Sequence, residues 1–174
     1  MTLPAPRTYL LDANAFVEAH RKFYAFDLCP GYWEALSAHA LLGTVGSIDR
    51  IRVELAKNKD ALWKWVGDEL PDGFFASTND TEVFPYYGQA VSWVQSQVRF
   101  LPQAKAEASD KADTWLVAHA RAKGQVLVTF EKANPATKKK VPLPDLCDAL
   151  GVENISLFEM LRELTIRFDW SRET

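Results

Sequence analysis

Four acidic residues of this 174-residue chain sit in contexts suited to metal-assisted chemistry: Asp12, Glu54, Asp113 and Glu131. Asp12 ends the apolar run Tyr9-Leu10-Leu11 in "YLLDANAF", and Glu131 follows the run "QVLVTF" (125–130). In open parallel sheets, ligands bind beyond the carboxyl ends of strands, and both acids fall at such ends. Asp113 stands in the first turn of the helical stretch "SDKADTWLVAHARAKG" (109–124), which feeds the second of these runs. Glu54 lies on the shoulder of the stripe Ile48, Ile51 and Leu55, three residues from Ile51 on a helix. Each acid also has an ordinary reading. Asp12 serves as a helix cap, and Asp113 occupies N3 behind Asp110 as N-cap. Glu54 pairs with Arg50 or Lys57 at the surface, and Glu131 simply opens a polar loop. Taken together, four carboxylates without basic partners repel one another unless cations hold them. Mg²⁺ or Mn²⁺ suits hard oxygen ligands, and such a site supports in-line phosphoryl chemistry with a water as nucleophile.

The elements that must bring these acids together can be read from periodicity and punctuation. A first strand is expected over 8–12, then a helix over 13–25 with Phe16, Ala19 and Phe23 on one stripe. Pro30-Gly31 breaks it, and a second helix over 32–43 closes on Gly43. Helices follow over 47–58, with Ser47 as N-cap, and over 59–70, stopped by Pro71-Asp72-Gly73. A short strand over 74–78 precedes a long helix over 81–100, with Pro85 in or against its first turn. The strand over 125–130 lies between Gly124 and Glu131, and residues 131–140 read as a polar loop. Residues 141–151 begin extended at their prolines and turn helical. "NIS" leads into a closing helix over 157–168. Strands separated by helices point to an α/β domain with a mainly parallel sheet.

Bulk properties set limits on function. The length suits one domain, taken as 1–174, with 141–170 as a closing segment. A net charge of −3 argues against coating nucleic acid through a basic face, though metal cations can invert the charge of an acidic site. No apolar run reaches the roughly 18 residues of a membrane span, and "MTLPAPRTYL" has no secretory h-region. The two cysteines, Cys29 and Cys147, form no CxxC pair, and three scattered histidines disfavour zinc. A cytoplasmic location is expected.

The pieces "YLLDANAF", "IRVELAKN", "ADTWLVAHA" and "VLVTFEKAN" resemble, in this order, the motifs of the PIN-domain nucleases. In that family an early strand ends in Asp and a helical Glu follows. An Asp then opens a helix of the form D-x-x-[IL]-[VI]-A-x-A, and a strand closes on T-x-[DE]. The resemblance carries to Asp12, Glu54, Asp113 and Glu131, the last being Glu where many members have Asp. It also carries to Asn14, which would orient Asp12, and to Thr129, two residues before the last acid. The tail "KKKVPLPDLCDALGVENISLFEMLREL" is similar to a PIN-like subfamily with K-[IV]-P-[DN]-x-C ahead of a helix. The resemblance implies a three-layer α/β/α domain around a parallel sheet. It also implies an Mg²⁺- or Mn²⁺-dependent ribonuclease of the kind found as toxins of toxin–antitoxin pairs. An antitoxin partner and a homodimer come with it by analogy. Asp12, Glu54 and Asp113 would then hold a first ion, with Glu131 extending the site to a second ion or a water.

Other features bear less on chemistry. Lys132 and the run Lys138-Lys139-Lys140 could steer an RNA backbone, or could form a solvated surface. The six tryptophans are expected mainly in the core or at interfaces, with base stacking as the alternative. "DANAF" lacks the second acid of a haloacid-dehalogenase-type phosphatase, because position 14 is Asn. No Gly-x-Ser-x-Gly elbow, Walker loop or dinucleotide fingerprint occurs. The rival to a nuclease is a catalytically silent PIN-fold protein that binds RNA or a protein partner.

Overall fold

The computed structural model describes residues 6–170. The ends of the chain, including the first five residues of the segment read above for a leader, lie outside the described residues.

The sheet is five-stranded and entirely parallel, in the order β3-β2-β1-β4-β5. Its strands are β1 (Tyr9–Leu11), β2 (Val45–Ile48), β3 (Phe75–Ala76), β4 (Val126–Val128) and β5 (Asn154–Ile155). The central pair, β1 and β4, is buried at every position, as a strand covered by helices on both faces must be. The helices are α1 (Ala13–Glu18), α2 (Pro30–Leu41), α3 (Asp49–Ala56), α4 (Ala61–Glu69), α5 (Phe84–Ser96), α6 (Pro102–Asp110), α7 (Ala112–Lys123), α8 (Leu143–Leu150) and α9 (Leu157–Glu163). They pack on the sheet as a three-layer α/β/α arrangement of PIN-like form. Helix α7 has the largest number of buried residues among them, seven of its twelve. It touches β2 and β4 of the sheet as well as α5, α6 and α8, and Leu116, Val117, Ala118 and His119 are all sequestered.

Several boundaries differ from the sequence expectation, each for a local reason. The first helix tightens into a π-helical turn over Ala19–Phe23, and Phe23 turns outward from the stripe that buries Phe16 and Ala19. Pro30 opens α2 as its first residue, where a missing N–H costs nothing, and so does not act as a breaker. Residues 45–48 form β2, so Ser47 is a strand residue and caps nothing. Its hydroxyl donates to the Leu11 carbonyl across the sheet at 2.7 Å. Helix α6 fills a stretch with no expected element, and Asp110 is its last residue; Lys111 takes the N-cap position of α7. The closing helix stops at Glu163, just before Thr165 at φ +56°. By contrast, Gly124 ends α7 at φ +65°, as its place in the sequence requires, and so aims the chain straight into β4.

The Ser47 bond tests how firmly β2 is tied to the strand that delivers Asp12. Ser47→Ala leaves a buried carbonyl short of a partner and should lower unfolding stability by about 1–3 kcal/mol. Urea titration followed by circular dichroism checks this, with an unchanged m-value expected.

Candidate functional site

The site forms because β1 and β4 are parallel neighbours in register, with Leu11 opposite Val128. Both chains therefore leave the sheet at the same end. The Asp12 amide donates to the Val128 carbonyl at 3.0 Å, which continues the ladder one residue past β1. Asp12 occupies the N-cap position of α1 in extended conformation, yet its side chain makes no capping bond. The carboxylate turns sideways instead, and the Thr129 hydroxyl donates to its Oδ2 at 2.9 Å. The carboxylate belongs to the strand ends, not to the helix.

Asn14 locks the same junction from the other side. Its Oδ1 accepts the Phe130 amide at 3.0 Å, and its Nδ2 lies 3.2 Å from the Thr129 hydroxyl. That hydroxyl oxygen also accepts the Glu131 amide at 3.0 Å. One threonine therefore holds Asp12 while it fixes the backbone of Glu131. Asn14, read from the sequence as orienting Asp12, bonds to Thr129 and Phe130 and touches Asp12 only through Thr129.

Asp113 enters from the first turn of α7, at N2 in place of the expected N3, because Lys111 occupies the cap position. A carboxylate there also meets the positive end of the helix. Asp110, expected to support Asp113 as a cap, is exposed at the end of α6 and caps nothing. Glu54 comes from α3, which packs on α7, and it is half-buried at the margin of the cluster.

The electrostatics connect the four acids. Asp12 is 4% exposed, and burial together with the charges of Asp113 and Glu131 pushes its pKa up to about 7. The Thr129 hydrogen bond and the neighbouring Ala13 amide offset only part of this. Burial and then Glu131 raise the pKa of Asp113, against the opposing charges of Lys140 and Lys111. Burial and Asp113 raise that of Glu54, with Lys57 and Lys111 opposing. Asp12, Asp113 and Glu131 thus share one field, and Glu54 joins it through Asp113. Among the described residues, no three acidic, histidine or cysteine side chains already stand close enough to hold one ion together. The donor set nonetheless fits Mg²⁺ or Mn²⁺: it is all carboxylate, it is largely withdrawn from water, and its members destabilise one another's charge.

Of the lysines read from the sequence as steering an RNA backbone or forming a solvated surface, Lys140 reaches this cluster, with its side chain 48% exposed. Lys140 Nζ lies 2.7 Å from Glu131 Oε2, while Glu131 Oε1 accepts the Leu143 amide at 3.1 Å. Lys132, Lys138 and Lys139 are exposed on the loop beyond. A groove of about 410 Å³ leads away from Glu54 between α3 and the α6–α7 junction, and Arg50, Lys57 and Lys111 line it. Arg50 is held in place, its guanidinium 4.4 Å over the Trp115 ring and its Nε donating to Thr78 at 3.2 Å. Trp115 in turn stacks on Tyr87 at 3.7 Å. Of the six tryptophans, Trp33 is core and Trp170 is 84% exposed. A second groove, about 960 Å³, runs from Thr129 and Glu131 past the packed rings of Phe23, Phe130 and Phe158.

The all-parallel strand order and the helices on both faces are those of a PIN-like α/β/α fold. The chain belongs to the family described as Domain of unknown function (DUF4411), whose model matches residues 9–168. No curated protein matches it in sequence. Among solved structures, the chain is similar to one described as VapBC2 from Rickettsia felis bound to a DNA fragment from their promoter. The TM-score is 0.52 at 16% identity, over 86% of this chain and 98% of that one. A likeness at that identity speaks to the fold.

Burial of Asp12 has a pH consequence. Its folded pKa lies above the unfolded value, so the folded state binds the extra proton between about pH 4 and 7. Stability from this group is present at the acid end of that window and is lost as pH rises through it, at up to about 1.4 kcal/mol per pH unit. Asp12→Asn keeps an acceptor for Thr129 and cannot ionise. In EDTA it should flatten the fall in melting temperature across this window and melt higher than the native chain at pH 7.5.

Proposed function

We propose that the chain is a metal-dependent endoribonuclease, acting in the cytoplasm as the toxin of a toxin–antitoxin pair, with an antitoxin protein and a second copy as partners. The observation that supports this reading is that Asp12, Asp113 and Glu131 lie near enough, at the carboxyl-end side of two adjacent parallel strands, to act on one another's charge. Glu54 stands beside them at the head of a groove. The likeness to VapBC2 supports it at the level of fold.

Asp12, Asp113 and Glu54 would hold Mg²⁺ or Mn²⁺, and Glu131 bounds the site on the loop side. When bound, the ion supplies Lewis-acid stabilisation of the charge that builds on the phosphate oxygens. The chain's own residues do the rest. Thr129 holds the carboxylate of Asp12 at the strand ends and Asn14 braces Thr129, so the place of this one donor is set before substrate arrives. Arg50, Lys57 and Lys111 in the groove beside Glu54 are the groups that would contact RNA phosphates there, opposed by Glu107 and Asp110 in the same lining. A water attacks phosphorus in line, the bond from phosphorus to O3′ breaks, the carboxylate cluster receives the attacking water's proton, and the leaving O3′ takes a proton from solvent water. The products carry a 5′-phosphate and a 3′-hydroxyl.

A second reading has one observation in its favour. Glu131 is already engaged by Lys140 and the Leu143 amide, which suits a PIN-fold protein that binds RNA or a partner without cutting it.

End-labelled total RNA incubated with the purified chain separates the two. Cleavage with Mn²⁺ or Mg²⁺, none with EDTA, and a loss of about 100-fold or more in Asp113→Asn is the expected outcome. Absence of cleavage by folded, antitoxin-free protein supports the binding reading. Equal cleavage by the variant removes Asp113 from the site.

A further inference from the structure

Glu131 is the least available of the four acids. Each of its oxygens already has a donor: Oε2 takes the Lys140 ammonium and Oε1 takes the Leu143 amide. Neither donor is loosely placed. The Lys138 carbonyl accepts the Leu101 amide at 2.9 Å, which anchors the loop two residues before Lys140. Val141, the next residue, is buried in the core at 4% exposure, and Leu143 opens α8 with no exposure at all. The Lys140 backbone is therefore fixed on both sides, and its side chain, half-exposed, reaches Glu131 from there.

The same ammonium also acts on the acids behind Glu131. Lys140 lines the small cleft that also contains Asp113 and Thr114. Burial works against its ammonium, yet the hydrogen bond and charge of Glu131, with Asp113 and Asp12 behind it, raise its pKa above the ordinary lysine value. The other basic groups that face these acids, Lys111 and Lys57, act on Asp113 and Glu54 and none is bonded to a cluster carboxylate.

We propose that Lys140 is a resident cation of the site, occupying on Glu131 the position a second divalent ion would take, so that the centre binds one ion rather than two. This rests on the metal-site reading above and refines it. Lys140 acts here as a positioning residue through Glu131. It neutralises one of the four acids without recruiting an ion from solution, and it leaves Asp12, Asp113 and Glu54 to hold the single ion.

The test is calorimetric titration of the full chain with Mn²⁺ alone, without RNA. The native chain should take up one ion. Lys140→Met keeps the length of the side chain and removes its charge. It should bind two ions, and Lys140→Met with Glu131→Gln should return to one. Lys140→Arg, which retains the cation, should also bind one. Circular dichroism and a urea midpoint establish that each variant is folded. Should Lys140→Met fail to fold, Glu131→Gln alone decides. It leaves the Mn²⁺ Kd within about threefold if Glu131 is no ligand, and a weakening beyond about tenfold makes it one. Two ions on the native chain, or one on folded Lys140→Met, overturns this inference and leaves the nuclease reading standing. No ion on the native chain overturns both.

Discussion

Everything at the candidate site depends on the parallel pairing of β1 with β4. The register that places Leu11 opposite Val128 also places Asp12 beside Thr129, and the ladder bond from the Asp12 amide to the Val128 carbonyl holds them there. A slip of one residue would turn every side chain of the strand to the other face and send Asp12 into a helix layer. Because both strands are apolar at each position and buried on both sides, hydrophobic pattern alone does not choose the register. The polar contacts at the strand ends, Thr129 to Asp12 and the Phe130 amide to Asn14, are what distinguish it.

The cost of that arrangement falls on Asp12. A carboxylate at 4% exposure, facing two further acids, is tolerated because Thr129 donates to it and because its proton affinity can rise. Such groups occur preferentially where a protein does chemistry. The neighbouring cations are graded around it. Lys140, its side chain half-exposed, is bonded to Glu131, Lys111 acts on Asp113 and Glu54, and Arg50 and Lys57 line the groove outside together with Glu107 and Asp110.

Much of the frame was legible in the sequence, because the central strands announce themselves. Tyr9-Leu10-Leu11 and Val126-Leu127-Val128 are short apolar runs with an acid or hydroxyl just beyond, and long connections between them require parallel pairing. Strand β2 was hidden because Val45-Gly46-Ser47-Ile48 has weak strand composition and runs directly into α3, with no turn residue between. Helix α6 was hidden because only Ala104 and Ala108 are buried on it, too small a stripe to stand out among its polar residues. That error moved the cap of α7 from Asp110 to Lys111. Lys140 looked like the end of a surface run. Its bond to Glu131 spans nine residues of loop, and no periodicity reports on such a contact. The signal that marks it is its place immediately before Val141-Pro142, where the chain returns to the core.

The bonds from Glu131 to Lys140 and Leu143 have a further meaning for the chain between them. They close residues 132–139 into a hoop whose base is clamped by one side chain, and nearly all of that hoop is exposed. Since doubling the length of a flexible loop costs only about 0.6 kcal/mol in closure entropy, the hoop is free to vary while its base stays fixed. Across related chains it is the stretch in which insertions and new surface chemistry can accumulate at low cost, at the edge of the carboxylates, without disturbing them.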